Sequence, residues 1–348
     1  MSRSPAPRKT LASPEPPRSA DAQMGGDWRT ILAQAVRDPA ELCRRLALPQ
    51  ALAAAAVPST AGFHMLVPEP YLNRIRPGDP DDPLLRQVLP RKEELADSPK
   101  FVPDPLNEAG TLHTPGLLGK YKGRILIVAS GVCAVHCRFC FRRHFPYVQA
   151  LSGAAWSGVF RQIAADPTIE EVILSGGDPL TTTDRRLAEV ARQLAEIPHL
   201  RRLRIHSRLP IVVPQRVTGE LLAWLRATRL ATFMVVHCNH PAEIDAPTAA
   251  ALGRLVDAGV PVLNQAVLMR GVNDDVDVLA ELFGRLVDLR VMPYYLHQLD
   301  RVAGAAHFEV PEARGRELIR QLRARLPGYA VPRYVRDTPG SLHKEVLE

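Results

Sequence analysis

Cysteine and long apolar runs are both scarce in this sequence. Its 348 residues include five cysteines, too few for the disulfide framework of a small secreted domain. No apolar run approaches the ~18 residues that a membrane-spanning helix needs, and the first residues lack the apolar segment of a secretory signal. These absences predict a cytoplasmic protein with no membrane partner.

Lysine is scarce as well, because 38 of the 44 basic residues are arginine. The formal net charge is +7 and the isoelectric point is about 9.4, values that permit contact with nucleic acid. Acidic residues are interspersed with most of the basic ones, however, so the charge does not indicate a specific nucleic-acid site. An RNA-modifying enzyme stays open as one alternative.

The chain divides into three regions that differ in composition and in hydrophobic periodicity. Residues 1–24 are rich in Pro, Ser and Arg without periodicity, which predicts a disordered leader. Residues 25–120 predict an N-terminal wrap of short helices and irregular structure. From 121 to 348, short β-branched runs alternate with amphipathic stretches. These runs begin near residues 124, 170, 202, 231, 261 and 291, and predict an α/β fold of six strand-helix units curled toward a barrel.

The strongest motif follows the first of these predicted strands. Cys133, Cys137 and Cys140 form a C-x3-C-x2-C pattern, and three thiolates on one loop can bind an iron-sulfur cluster or a zinc ion. A structural zinc site normally has a fourth protein ligand, and no further Cys or His has the standard spacing from these three cysteines. A [4Fe-4S] cluster on three cysteines would leave one iron open for a further ligand. The spacing favours the cluster and leaves zinc as the alternative.

His237, Cys238 and His240 form a second group of possible metal ligands. An extended strand sends neighbouring side chains to opposite faces, which argues against a shared ion. This metal site is therefore a minor alternative.

The cysteine pattern after the first strand of such a repeat resembles the radical S-adenosylmethionine (SAM) enzymes. The glycine-rich stretch Ser175–Pro179 follows the second strand, where that superfamily receives the amino group of SAM. The resemblance implies a partial (β/α)6 barrel of the radical SAM type with an N-terminal helical and irregular extension. It implies a [4Fe-4S] cluster on the three cysteines, and SAM bound by Gly176, Gly177, Asp178, His237 and Gln265.

Two further segments resemble the lysine 2,3-aminomutases, which combine radical chemistry with pyridoxal phosphate. They are residues 141–145, FRRHF, and residues 337–344, DTPGSLHK, although the glycine-rich run usual before the family's cofactor lysine is shortened here. The resemblance implies that Lys344 binds pyridoxal phosphate covalently. It also implies that Arg124 and Lys120 bind the cofactor phosphate, that Arg142 binds the substrate α-carboxylate, and that Asp300 and Asp337 bind its distal ammonium.

Composition gives a separate argument for Lys344. The chain prefers arginine wherever any cation suffices, and no lysine lies between Lys122 and Lys344. A guanidinium group cannot form the covalent carbon-nitrogen link that a lysine amine forms with a carbonyl. A lysine kept at position 344 therefore fits a chemical role.

Within the family, the chain looks most like the bacterial branch that serves elongation factor P. This resemblance implies conversion of (S)-α-lysine to (R)-β-lysine through a 5'-deoxyadenosyl radical and pyridoxal phosphate. It also implies a partnership with the ligase that attaches β-lysine to the factor. A catabolic or biosynthetic lysine 2,3-aminomutase is the alternative, and a homo-oligomer is compatible with either. The segments that carry the likeness are DWRTILAQAVRDPAELCRRL, DPDDPLLRQVLP, CRFCFRRHFPY and PYYLHQLDRVAGAAHF.

Overall fold

The computed structural model describes residues 26–60, 62–114, 116–147 and 155–348. The predicted leader, 1–24, lies outside the described residues. Within them, no helix combines the length and the hydrophobicity needed to cross a membrane.

The described strands form one sheet in which sequence order equals spatial order. The six predicted strands are present and parallel, which confirms the α/β prediction, and a seventh parallel strand that was not predicted follows them. Antiparallel strands flank this parallel part on both sides. The strands are β1 (Leu112–Thr114), β2 (Leu117–Tyr121), β3 (Arg124–Ser130), β4 (Glu171–Gly176), β5 (Arg202–Ser207), β6 (Ala231–His237), β7 (Val262–Val267), β8 (Met292–His297), β9 (Arg333–Arg336) and β10 (Glu345–Val346).

Four of the helices between the parallel strands begin at side-chain caps and bury an apolar stripe. In the helix after β4, Thr183 accepts a hydrogen bond from the Arg186 amide, and the buried residues recur with helical spacing at Leu187, Val190, Ala191 and Leu194. The helices are α1 (Trp28–Ala33), α2 (Pro39–Arg45), α3 (Gln50–Thr60), α4 (Glu69–Leu72), α5 (Pro83–Arg86), α6 (Ala155–Ala165), α7 (Asp184–Ala195), α8 (Leu209–Val212), α9 (Gly219–Ala227), α10 (Ala246–Asp257), α11 (Val276–Asp288) and α12 (Glu312–Arg323).

Side chains from separate strands line one cavity, which indicates that the sheet is curved. On β5 the alternation is clear: Leu203 and Ile205 are buried in the hydrophobic core, whereas Arg204 and His206 line the cavity. The curved parallel sheet and its outer helices form the predicted partial barrel.

The N-terminal segment packs against the barrel and shares its core. Leu42, Tyr71 and Leu84 belong to the same hydrophobic cluster as Leu174 and Ile205 of the barrel. The predicted boundary at residue 120 falls inside β2, which pairs with β3 of the barrel. The wrap and the barrel therefore share one core, and their division into two domains stays a prediction.

A buried ion cluster joins this segment to the cysteine loop. The Glu94 carboxylate accepts hydrogen bonds from Arg138 Nη2 at 2.6 Å and from Arg143 Nη2 at 2.7 Å, and both guanidinium groups lie within 5.0 Å of the centre of the Phe63 ring. The side chains of Arg138 and Glu94 are 0% and 1% exposed. Burial of two cations is tolerated here because the carboxylate and the ring face offset their charge.

We expect Glu94→Gln to lower the free energy of unfolding by about 3–5 kcal/mol, since it leaves two buried guanidinium groups without a counter-charge. Urea unfolding of the metal-free protein measures the change. Glu93→Gln, at the exposed neighbouring position, is the matched control and should stay within about 0.5 kcal/mol of the parent. Equal stability of the two variants would refute the role of the ion cluster.

Candidate active site

One cavity of about 540 Å³ lies inside the curved sheet. Every site residue predicted from the sequence lines it, although those residues come from five of the described strands and from the loops that follow or precede strands. They are Lys120, Arg124, Cys133, Cys137, Cys140, Arg142, Gly176, Gly177, Asp178, His237, Gln265, Asp300, Asp337 and Lys344.

The three thiols lie on the loop after β3, and none of them is in a disulfide. Burial raises the pKa of Cys133 well above its ordinary value, and it raises the pKa of Cys140 to about 12. Arg208 donates a hydrogen bond from Nη1 to Cys137 Sγ at 2.7 Å. Metal binding would convert these buried thiols to thiolates, so this part of the cavity suits a cationic metal centre.

The three thiols are compatible with an iron-sulfur cluster. Among the described residues, no group of three or more His, Cys, Asp or Glu side chains is arranged around one metal ion. Each thiolate of an iron-sulfur cluster binds a different iron atom, so its ligands need not converge on one point. Three thiols on a cavity wall therefore fit a [4Fe-4S] cluster, and zinc stays the alternative.

The glycine-rich stretch packs directly on the cysteine loop. A Cβ on Gly177 would lie 2.5 Å from the Val132 carbonyl oxygen, and Gly176 has a φ of +114°, so neither position accepts a side chain without strain. The Asp178 carboxylate accepts hydrogen bonds from Ser207 Oγ at 2.7 Å and from the Arg208 amide at 2.8 Å. These contacts give Asp178 a structural role, and its binding of SAM stays a prediction.

His237 and Gln265 are neighbours on β6 and β7, and both line the cavity. Burial, with the nearby Arg208 cation, lowers the pKa of His237 to about 4, so its imidazole is neutral. Cys238 is buried in the hydrophobic core, and His240 Nδ1 accepts a hydrogen bond from the Ala242 amide. The second metal alternative is therefore wrong within the described residues.

Asp337 connects the predicted cofactor lysine to β2. Its carboxylate contacts the Lys344 ammonium, and it accepts hydrogen bonds from Lys120 Nζ at 2.9 Å and from the Tyr121 hydroxyl at 2.6 Å. Burial raises the pKa of Asp337, but the Lys344 and Lys120 ammonium groups outweigh it and hold that pKa below its ordinary range. Asp337 therefore stays ionised and binds two ammonium groups of the chain itself, and its binding of the substrate stays a prediction.

Asp300 differs from Asp337 in its protonation. Burial and the neighbouring Asp337 carboxylate raise the pKa of Asp300 to about 7, against the opposing effect of Lys344 and Lys120. A second ammonium group bound between the two carboxylates would offset their repulsion and lower this pKa. The cavity therefore has capacity for one more cation beside Asp300.

Arg142 carries a partner that the sequence analysis missed. Glu108 accepts hydrogen bonds from its Nε and Nη2 at 2.7 Å each, while Nη1 lies 3.2 Å from Ser175 Oγ and 3.3 Å from the Gly176 carbonyl oxygen. The pair is buried. One edge of the guanidinium is occupied by Glu108, so a substrate carboxylate would have to use the edge that carries Nη1.

Arg124 and Lys120 differ in their suitability for a phosphate. Lys120 is engaged by Asp337, whereas the Arg124 guanidinium lies 4.6 Å from the centre of the Tyr121 ring, and its buried Nε has no hydrogen-bond partner among the described residues. An unpartnered buried donor on a cavity wall fits an anionic group. The residues present are thus compatible with pyridoxal phosphate, with Lys344 at the aldehyde and Arg124 at the phosphate.

Other lining residues were not found from the sequence. Glu108 lies in a segment without periodicity, so nothing in the sequence indicated its position. Arg204 and His206 alternate with buried aliphatic residues on β5, a pattern that indicates a polar inner face and could have identified them.

Comparisons with solved structures give weak likenesses. *Streptococcus suis* SuiB bound to S-adenosylmethionine matches with a TM-score of 0.46 and 14% identity, over 66% of this chain and 53% of that one. A radical SAM methyltransferase from *Sphaerobacter thermophilus* matches with a TM-score of 0.43 and 21% identity, over 63% and 68%. No protein-family model matches the chain.

Curated relatives are much more similar. The L-lysine 2,3-aminomutase of *Escherichia coli* is 44% identical over 326 residues, which cover 92% of this chain and 94% of the relative. That of *Haemophilus influenzae* is 43% identical over 91% and 94%, and that of *Clostridium subterminale* is 37% identical over 90% and 76%. The chain is therefore an isomerase that belongs to the L-lysine 2,3-aminomutase family.

Proposed function

We propose that this protein converts (S)-α-lysine to (R)-β-lysine with a [4Fe-4S] cluster, SAM and pyridoxal phosphate. One observation carries the proposal: the three-cysteine loop, Lys344 and the two acids Asp300 and Asp337 line a single cavity. A radical source, a carbonyl-binding amine and a receptor for the lysine ammonium are thus within reach of one substrate.

The charges of the cavity match the two ends of lysine. Arg142 offers a guanidinium edge to the α-carboxylate, and Asp300 with Asp337 offers carboxylates to the distal ammonium. The Lys344 ammonium contacts Asp337 in the structure. Attachment of Lys344 to the cofactor would free the contacted oxygen for the substrate ammonium.

Holding both ends of lysine determines which hydrogen is removed. The cofactors supply radical initiation and an electron-accepting ring when bound, and the protein supplies orientation and exclusion of water. Arg142 is fixed by Glu108, and Asp337 is fixed by Lys120 and Tyr121. The two anchors therefore set the position of the substrate carbon chain between them.

Anaerobic turnover tests the proposal directly. Protein with a reconstituted cluster, pyridoxal phosphate, SAM, a reductant and (S)-α-lysine should form β-lysine. Deoxyadenosine without β-lysine would retain the radical chemistry and overturn the substrate. Absence of both, in a preparation whose cluster is verified by spectroscopy, would overturn the proposed reaction.

Lys344→Ala should abolish covalent binding of pyridoxal phosphate, because Lys344 is the amine that lies near the Tyr295 ring, whereas Lys120, the other amine on Asp337, lies near the Tyr121 ring. Borohydride reduction followed by peptide mass spectrometry locates the modified lysine in the parent protein. The iron content should not change, since the cysteines lie on a separate loop. Lys122→Ala, at an exposed position, is the matched control; a pyridoxyl group retained in Lys344→Ala would contradict the assignment.

The apparent affinity for lysine should fall as pH decreases through about 7. Below this pH Asp300 gains a proton in the free enzyme and loses its attraction for an ammonium group, so kcat/KM falls on the acid side. We expect Asp300→Asn to lower kcat/KM by about 10- to 100-fold, the loss typical of a hydrogen bond to a charged group, and to flatten this part of the profile. The surface variant Asp257→Asn should keep the parent profile; an unchanged acid limb in Asp300→Asn would refute the role of Asp300.

We further propose that the β-lysine serves modification of elongation factor P through its ligase. The support is the likeness of four segments to that branch of the family, among them residues 137–147 at the cysteine loop. The mass of elongation factor P from the host, with and without the gene for this chain, tests the assignment. Loss of one β-lysyl group on deletion is the expected result, whereas an unchanged mass with active enzyme would favour a catabolic or biosynthetic role.

A further inference from the structure

Four buried nitrogen atoms on the cavity wall have no hydrogen-bond partner among the described residues. One is Nε of Arg208, whose other nitrogen atoms donate to Cys137 and Glu243. The remaining three are Nε of Arg124, Nε of Arg204 and Nε2 of His206. Buried donors are almost always satisfied in folded proteins, so a group of unsatisfied ones on one cavity wall indicates a missing ligand. Two of the three are cations, which makes that ligand an anion.

The surrounding charges leave this wall positive. Arg204 contacts Glu171, but Glu171 is shared with Arg202, whose Nε lies 3.3 Å from it. No ion pair of Arg124 is present among the described residues, where its guanidinium stacks near the Tyr121 ring. Arg202 also pairs with Glu170 at 2.9 Å. Two carboxylates therefore face three guanidinium groups, and an anion would improve the balance of charge.

The wall lies close to the cofactor lysine. Lys344 Nζ is 5.8 Å from the centre of the Tyr295 ring. Burial and the adjacent Tyr294 raise the pKa of Tyr295, and the nearby guanidinium groups of Arg124 and Arg204 oppose this rise. Tyr295 thus lies near the lysine amine, and the charges of the two arginines act on its hydroxyl.

We propose that Arg204 and His206 complete, with Arg124, the subsite for the 5'-phosphate of pyridoxal phosphate. This inference rests on the proposed function, because it assumes that Lys344 takes the aldehyde. Arginine suits a phosphate, since its planar donors match two phosphate oxygens. Burial and the Arg204 cation hold the pKa of His206 well below its ordinary value, so the neutral ring can donate one hydrogen bond without adding charge. Lys120, which is held by Asp337, is not needed at the phosphate.

The test compares two probes, pyridoxal phosphate and pyridoxal, which differ only in the phosphate group. Their equilibrium binding is measured by absorbance titration of the purified protein. Arg204→Gln should weaken binding of pyridoxal phosphate by about 10- to 100-fold, the loss of one charge-assisted contact, and should leave pyridoxal binding within about twofold. Inorganic phosphate should compete with pyridoxal phosphate and should not compete with pyridoxal.

Arg202→Gln is the matched control, since it removes the same charge from the same strand. Arg202 does not line the cavity, and Glu171 keeps a guanidinium partner in either variant, so both variants should fold. Equal loss of both probes, or no loss of either, in Arg204→Gln would overturn the subsite while leaving the proposed function intact.

Binding of the two probes to the parent protein is an independent test. Parent protein that binds neither probe would overturn the proposed function itself. Equal affinity for the two probes, without competition by phosphate, would overturn the phosphate subsite alone.

Discussion

The cysteine loop depends on a carboxylate from another part of the chain. Arg138 and Arg143 are each within three residues of Cys140, and Glu94 of the N-terminal segment neutralises both in the core. Gln87 extends this link, because it accepts a hydrogen bond from Arg208, whose guanidinium also donates to Cys137. The shape of the predicted cluster site is therefore determined jointly by the wrap and the barrel.

Inside the barrel, most of the charged groups have a partner of opposite charge or are neutral. Asp337 neutralises two ammonium groups, Glu108 neutralises Arg142, and the imidazoles of His206 and His297 are neutral because burial and neighbouring cations lower their pKa. Asp300 could still bind a cation, and Arg124 of β3 with Arg204 of β5 could still bind an anion. The proposed substrate has an ammonium group at its distal end, and the proposed cofactor has a phosphate.

The sequence predicted the parts of this design that depend on periodicity or on motif spacing. The six parallel strands confirm the repeat, and Cys133 and Lys344, more than two hundred residues apart, line one cavity as their predicted roles require. Strand β9 was missed because its four residues are too short to show a period. Glu108 and Glu94 were missed because their function lies in long-range ion pairs, which leave no local pattern in an irregular segment.

Asp337 and Lys344 are the two ends of one hairpin connection. Asp337 directly follows β9, Lys344 directly precedes β10, and these strands pair through Arg336 with Glu345 and through Val335 with Val346. The ion pair of Asp337 with Lys344 closes the loop at its base, so the intervening residues do not determine the distance between acid and amine. The length of this loop can therefore vary without separating the acid from the amine, which is consistent with the abbreviated glycine-rich run before Lys344, the predicted cofactor lysine.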